Sequence, residues 1–177
     1  HMLAALQKTT GDYGITFDTW FSEKTLHTTA IDAAIAQLTS NGKTYELDGA
    51  LWFTSTDYGD DKDRVLKKAD GSYTYAAADA AYMLSKTHRG FEHLIFVLGQ
   101  DHHSYPKRLQ GMRQALGLDH VKLDCILYQL VSMKADDGER VKMSKRAGSI
   151  VSLQDIIDKN TFVNLRAKFE FIQWKKI

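Results

Sequence analysis

HLIFVLGQDHHSY (93–105) is the stretch of sequence that decides the fold of this chain. Its first seven residues form a short, continuous apolar run that ends in glycine, which is typical of a buried parallel β-strand. Four polar side chains follow the glycine at once: Gln100, Asp101, His102 and His103. Because ligands bind at the carboxyl ends of parallel strands, this segment is predicted to contribute to a binding site.

The residues that follow complete a strand–helix–strand unit. Pro106 opens a predicted helix that runs through Leu116 and is closed by Gly117. The apolar run VKLDCILYQLVSM (121–133) predicts a second strand, with a turn at 135–139. Strand, helix and strand in this order predict an α/β fold with a parallel sheet.

The residues before the deciding stretch predict helices and a small β-hairpin. Apolar residues at helical spacing predict a helix over 31–38, with Asn41-Gly42 as its stop. The segments 49–55 and 63–75 indicate β structure, with Asp70-Gly71 as the hairpin turn. The alanine-rich segment 76–85 is strongly helical by propensity.

Composition limits the functions that are open to the chain. Of its 177 residues, 44% are hydrophobic, which is enough for one compact domain with a core. A net charge of +1 excludes a protein that holds nucleic acid mainly through a global positive field. The single cysteine, Cys125, excludes an intrachain disulfide and favours a reducing cytoplasm. No apolar run has the length of a membrane span and no signal peptide is visible, and His1-Met2 is typical of a cloning remnant.

Lys142-Met143-Ser144-Lys145-Arg146, followed by Ala147-Gly148, is the most distinctive cluster of charges. It combines cations and a hydroxyl with a glycine that supplies flexibility. Such a loop can fold over a triphosphate and neutralise the charge of departing pyrophosphate. A solvated basic turn is the alternative, and the pentapeptide by itself leaves both open.

Further motifs resolve that alternative. KMSKRAG (142–148) resembles the KMSKS-type loop of class I aminoacyl-tRNA synthetases, and GQDHHSYPKRLQGMRQALG (99–117) resembles the GADHHGY segment and following helix of arginyl-tRNA synthetases. Other pieces occur in the order of that family: FDTWFSE (17–23), DGALWF (48–53), DYGDDKDRVLKKADGSYTY (57–75), AADAAY (77–82) and LYQLVSM (127–133). The chain is therefore similar to the second half of the catalytic domain of arginyl-tRNA synthetases.

The resemblance implies a fold and an activity. The fold is a partial Rossmann-like class I catalytic domain with a parallel sheet and a small β-hairpin insertion. This domain covers residues 3–158, and residues 159–177 form an atypical tail of uncertain origin. The activity is ATP-dependent ligation of arginine to its cognate tRNA through an arginyl-adenylate, with Mg²⁺ accompanying ATP and no structural metal site.

For arginine binding, the resemblance implies Tyr75, Asp79 and Gln100. Tyr75 and Asp79 are four residues apart, so on a helix they share one face. A carboxylate is the natural bidentate partner of a guanidinium, and a tyrosine can align it. Without the resemblance, Tyr75 would be read as a core aromatic and Asp79 as a surface charge. Gln100 stands where many members of the family have alanine.

For ATP, the resemblance implies a second set of residues. Gly99, Asp101 and His102 match positions at the adenosine, where glycine permits close approach and a carboxylate can accept hydrogen bonds from ribose hydroxyls. The strand end from Gln129 to Val131 matches a position beside adenine, and Met143 is also assigned to ATP binding. Three residues match the catalytic pyrophosphate loop: Lys142, Ser144 and Lys145, with Lys145 as its principal cation.

The chain departs from the family pattern in two ways. No HIGH-type motif, whose histidines contact the triphosphate, precedes Gly11, and after Asp158 the sequence differs from the usual helix. We therefore expect the isolated chain to be inactive alone. We also expect apolar surface beside the 93–99 strand, covered by self-association or by the apolar residues of the tail, Phe162, Phe169, Phe171 and Trp174.

Two other functions are open. Asp101-His102-His103 after a strand is also the motif of DHH-type metal-dependent phosphoesterases, with further ligands possible among Asp57, Asp60, Asp61 and Asp63. That reading lacks the family's other motifs and leaves KMSKR unexplained, and the aspartates are more simply a solvated turn. The second alternative is a non-catalytic synthetase-like module that binds RNA or a protein.

Overall fold

The computed structural model describes residues 2–129, 152–154 and 157. The chain divides into two compact units, Phe21–Leu130 and a second unit made of His1–Trp20 with Val131–Ile177. In the second unit, helix α1 (Met2–Asp12) was not predicted from the sequence. Its Thr9 hydroxyl lies 3.4 Å from Oε1 of Gln154.

The unit Phe21–Leu130 alternates helices with strands. In chain order it contains α2 (Ala30–Ser40), β1 (Thr44–Leu47), β2 (Ala50–Phe53), β3 (Arg64–Lys67), α3 (Tyr75–His88), β4 (His93–Gly99), α4 (Tyr105–Ala115) and β5 (Lys122–Tyr128). A short 3-10 helix, Gln100–His102, joins β4 to α4. The α/β class is therefore confirmed, and α2 and α4 lie where the sequence placed them.

Strands β4 and β5 form the predicted parallel pair. Their register runs from His93 opposite Lys122 to Gly99 opposite Tyr128, with α4 as the crossover. Pro106 lies in the first turn of α4, where its missing N–H costs nothing. The carboxyl ends of both strands therefore lie side by side, and the Gln100–His102 segment begins at that edge.

Helix α3 lies against most of the core. Five of its alanines are buried, together with Met83 and Leu84. Their small side chains allow neighbouring elements to approach closely, and the larger core residues fill the space around them: Ile31, Leu38, Phe53, Leu66, Leu109 and Met112. The helix begins at Tyr75, not at Ala76, so the predicted β structure over 63–75 was too long at its end.

The predicted β-hairpin insertion is confirmed as part of a three-stranded antiparallel sheet in the order β1-β2-β3. The sequence analysis missed β1, whose TYEL sequence is exposed over three of four residues and lacks an apolar alternation. Asp48 and Gly49 join β1 to β2, both with positive φ (52° and 73°), as a tight hairpin turn requires. The Asp70-Gly71 turn is confirmed by the bridge between Lys67 and Tyr73.

Strand β4 is not buried on both faces in the part of the chain that the structure describes. Leu94 and Gly99 are buried, whereas Ile95 is 51% exposed and Val97 is 63% exposed. One face of β4 is thus apolar and open, as expected from the sequence. Whether copies of the chain associate through it stays a prediction.

The prediction of a solvated aspartate cluster was wrong for one member. Asp57 and Asp61 are exposed, but the side chain of Asp60 is only 3% exposed. Arg64 donates two hydrogen bonds of 2.7 Å to its carboxylate, from Nε and Nη2. Burial alone would raise the pKa of Asp60, yet these bonds hold it well below its ordinary value. A buried carboxylate is stable there because it is paired.

Candidate functional site

An open cavity of about 290 Å³ lies between the beginnings of α3 and α4. Its lining is aromatic and acidic: Phe21, Glu23, Tyr75, Ala78, Asp79, Tyr82 and Tyr105. Glu23 opens the 3-10 helix Glu23–His27, whose Leu26 is buried in the core. The cavity therefore presents two carboxylates within aromatic walls, and none of the described residues that line it is a cation.

Tyr75 and Asp79 occupy one face of α3, as predicted. Tyr75 is the first residue of the helix and is 81% exposed, while Asp79, one turn later, is partly buried. This is the opposite of what the residue types alone suggested, a core tyrosine and a surface aspartate. The exposed ring stands at the mouth of the cavity and the carboxylate stands within its wall.

Asp79 is held by a residue that the sequence analysis did not single out. The Tyr105 hydroxyl donates a 2.7 Å hydrogen bond to Oδ2 of Asp79. Burial raises the pKa of Asp79, and the Tyr105 hydrogen bond and the charge of Arg108 offset part of that rise. Burial and the neighbouring carboxylate raise the pKa of Tyr105 to about 12, so Tyr105 remains a donor at neutral pH.

The ring of Tyr105 is itself enclosed. The guanidinium of Arg108 lies 4.6 Å from its centroid, and the ring of His102 meets it edge-on at 5.3 Å. Arg108 Nε lies 3.4 Å from Oδ2 of Asp60, an ion pair whose alignment is too poor for a hydrogen bond. Tyr105 thus contacts both Asp79, in the cavity, and His102, at the strand edge.

Gly99, Asp101 and His102 lie together at the carboxyl edge of β4. A Cβ atom on Gly99 would come within 2.6 Å of Oδ1 of Asp101, so only glycine leaves that carboxylate in place. Asp101 and His102 are both exposed, with Oδ2 and Nε2 3.9 Å apart. This edge is open to solvent and can receive a polar ligand.

The remaining predicted site residues are less informative. Gln100 and Gln129 are exposed and follow the ends of β4 and β5. Five predicted residues lie outside the described part of the chain, namely Val131, Lys142, Met143, Ser144 and Lys145, and so does the tail 159–177.

Sequence reasoning missed five lining residues: Phe21, Glu23, Ala78, Tyr82 and Tyr105. A signal existed for all five, since each lies in one of the family-like segments 17–23, 77–82 and 99–117. Among the described residues, no group of three or more His, Cys, Asp or Glu side chains could hold a metal ion. None of the helices described there is long and apolar enough to cross a membrane.

Comparison with known proteins decides the family. The sequence model of the family "tRNA synthetases class I (R), catalytic domain" matches residues 3–168. The chain belongs to this family. The resemblance to arginyl-tRNA synthetases is confirmed. Neither alternative, a DHH-type phosphoesterase or a non-catalytic synthetase-like module, is supported.

Individual relatives agree with the family. Over 148 residues the chain is 50% identical to arginine–tRNA ligase 1 of Halalkalibacterium halodurans, covering 83% of this chain and 26% of the relative. Over 159 residues it is 47% identical to arginine–tRNA ligase of Frankia alni, covering 89% of this chain and 29% of the relative. The chain therefore spans little more than a quarter of the length of these curated relatives.

Solved structures support the class I catalytic fold. A crystal structure described as an arginyl-tRNA synthetase from Campylobacter jejuni superimposes with a TM-score of 0.80 at 35% identity, over 89% of this chain and 34% of that chain. The Thermus thermophilus arginyl-tRNA synthetase gives a TM-score of 0.72 at 16% identity, over 99% and 35% of the two chains. At that identity the second comparison bears on the fold alone.

Proposed function

We propose that this chain supplies the arginine-binding cavity and part of the nucleotide site of an arginine–tRNA ligase. The reaction joins arginine to ATP, releases pyrophosphate and then transfers the arginyl group from the adenylate to tRNA. The observation that carries the proposal is the partly buried Asp79 carboxylate in the wall of an aromatic cavity. Family membership and the names of the relatives support it.

The cavity suits a guanidinium group for electrostatic reasons. Asp79 and Glu23 contribute negative charge, and the partial burial of Asp79 strengthens its attraction to a cation. The exposed Tyr75 ring can cover the flat face of a guanidinium, to which a carboxylate binds bidentately. An uncharged side chain would not offer a counter-charge to the carboxylates of the cavity. We assign Tyr75 and Asp79 to arginine, with Gln100 as a further candidate.

The edge of β4 suits the nucleoside part of ATP. Gly99 permits close approach of a ribose, and the exposed Asp101 can accept hydrogen bonds from its hydroxyls. His102 and the strand end around Gln129 complete the proposed contacts. Mg²⁺ would accompany the triphosphate, and the described residues supply no cluster of ligands for it. A single cysteine and a tRNA substrate favour the cytoplasm.

The catalytic role is proposed for the loop with Lys142, Ser144 and Lys145. Negative charge grows on departing pyrophosphate, so a cation there stabilises the transition state more than bound ATP. Met143 and Val131 are kept as proposed ATP contacts.

The function is tested with a full-length arginine–tRNA ligase that carries this chain. Exchange of labelled pyrophosphate into ATP should depend on arginine and be absent with lysine. In the same protein, Lys145→Ala should lower the single-turnover rate of adenylate formation far more than it weakens ATP binding. Exchange that does not require arginine would overturn the proposal, and a defect confined to ATP affinity would overturn the role of Lys145.

A further inference from the structure

The wall of the cavity depends on a side chain outside the residues assigned to arginine. We propose that Tyr105 is a positioning residue of the arginine site, which fixes the Asp79 carboxylate for a guanidinium and couples it to the nucleotide edge through His102. This inference rests on the proposed function and adds a residue to it.

The Tyr105 hydroxyl donates its hydrogen bond to Asp79 and so stabilises the ionised carboxylate. The ionised carboxylate is also the form that pairs with a guanidinium. The bond takes one lone pair of Oδ2, and among the described residues no hydrogen bond to Oδ1 is present. Tyr105 therefore holds the carboxylate in one rotamer and leaves Oδ1 and the second lone pair of Oδ2 for the two N–H donors of a guanidinium.

The position of the Tyr105 ring is restrained by a group of charged side chains that do not line the cavity. Arg108, which is only 17% exposed, lies against the tyrosine ring and beside the buried Asp60. Asp60 is anchored in turn by the two hydrogen bonds from Arg64 on β3. A largely buried arginine that is ion-paired with a fixed carboxylate has few alternative positions, so the ring that it contacts is also restrained.

The same ring also makes an edge-to-face contact with His102, the last residue of the 3-10 helix that follows β4. A displacement of His102 by a nucleotide would press on the ring that holds Asp79. One aromatic side chain thus contacts both proposed substrate sites. Tyr105 lies three residues after His102, so the QDHHSY stretch itself carries this link.

The charged and titratable groups that face Asp79 determine how arginine binding depends on pH. Tyr105 and Arg108 come from α4, Glu23 from the 3-10 helix and Lys86 from α3. Burial raises the pKa of Asp79, and the negative charge of Glu23 raises it as well. The Tyr105 hydrogen bond and the positive charges of Arg108 and Lys86 lower the same pKa. Loss of the Tyr105 hydroxyl therefore raises the pKa of Asp79 further, and a larger fraction of the carboxyl is neutral at a given acidic pH.

The test is Tyr105→Phe in the full-length ligase, which keeps the ring and removes the hydroxyl. The KM for arginine should rise about 10-fold, while kcat and the KM for ATP change less than about twofold. The acid limb of the kcat/KM profile for arginine should move to higher pH. A residue that only filled space would not move that limb.

Tyr45→Phe is the matched control, because the Tyr45 hydroxyl donates a 3.0 Å hydrogen bond to Asp63 away from the cavity. It should leave both the KM for arginine and the acid limb unchanged. Arg108→Gln should move the limb in the same direction as Tyr105→Phe, since it also removes a cause that lowers the pKa of Asp79. An arginine-dependent enzyme whose Tyr105→Phe variant keeps the wild-type KM and pH profile would overturn this inference alone. A wild-type protein that does not use arginine would overturn it together with the proposed function.

Discussion

The cavity beside α3 and the carboxyl edge of β4 are built in different ways. In the cavity, Asp79 is partly buried and held by Tyr105, which is enclosed in turn by Arg108. At the edge, Asp101 and His102 are exposed, and Oδ2 of Asp101 lies 3.9 Å from Nε2 of His102. The cavity is thus formed by side chains that restrain one another, whereas the side chains at the edge of β4 are exposed and become ordered only when a ligand binds.

The difference predicts where binding energy is lost when each region is changed. A preorganised site spends little of its interaction free energy on ordering its own groups, so removal of one central charge is costly. An exposed site orders its side chains only on binding, so single changes there have smaller effects. The cavity should therefore show larger and more selective mutational effects than the edge.

The largest effect is expected for Asp79→Asn in the full-length ligase. The substitution removes a charge-assisted pair worth about 2–3 kcal/mol, so arginine should bind about 30- to 150-fold more weakly while ATP binding hardly changes. Equilibrium titration with each ligand measures both. Asp32→Asn is the control, because Asp32 accepts a hydrogen bond from the Tyr73 hydroxyl on another surface. Near-normal arginine affinity in Asp79→Asn would refute the assignment.

A smaller effect is expected from Gly111→Ala, which disturbs the support of the cavity. A Cβ on Gly111 would lie 2.6 Å from Cβ of Tyr58, so α4 must move away from that side chain. Overpacking of this kind costs about 1–3 kcal/mol, partly offset by the gain of about 1 kcal/mol from alanine in a helix. We expect a net loss of stability of about 1 kcal/mol in chemical denaturation.

Gly11→Ala in α1 is the control for that change, because a Cβ there meets no atom of the described residues within 4 Å. It should be neutral or stabilising. Because α4 carries Tyr105, Gly111→Ala should also weaken arginine more than ATP. Unchanged stability would show that α4 and Tyr58 do not pack as tightly as described.

The smallest effect is expected at the open edge, from Gly99→Ala. The added Cβ would displace the exposed Asp101 carboxylate, which can swing away at little cost in stability. ATP affinity should fall by about 10-fold, with arginine affinity unchanged. In an Asp101→Ala background, Gly99→Ala should have little further effect on ATP affinity, because the carboxylate that the added Cβ would displace is absent. Additive losses would mean that Gly99 acts on ATP independently of Asp101.

The elements with a strong local signal were predictable from the sequence. β4 was placed residue for residue, because its apolar run and terminal glycine are sharply bounded, and α4 was bounded by Pro106 and Gly117. β1 was missed because an exposed strand of four residues has no apolar alternation to reveal it. Asp60 was misjudged because its burial beside Arg108 of α4 is a tertiary property, although its hydrogen-bond partner Arg64 is only four residues away.

The candidate site was predictable only in part. Spacing alone put Tyr75 and Asp79 on one face of a helix, and the motif resemblance gave them a role. Tyr105 and Asp79 lie on different helices and are 26 residues apart in the sequence, so no local pattern could reveal their contact. Burial of Asp79 is likewise a tertiary property, and with it the direction of its pKa shift.

The central claim is that the cavity selects a positive charge through an ionised Asp79. The most direct test is calorimetric titration of the full-length ligase with arginine and with citrulline, its uncharged isostere, at neutral pH. The account predicts that arginine binds at least about 100-fold more tightly than citrulline, and that Asp79→Asn removes most of this difference. Comparable affinities for the two ligands in the wild-type protein would contradict it.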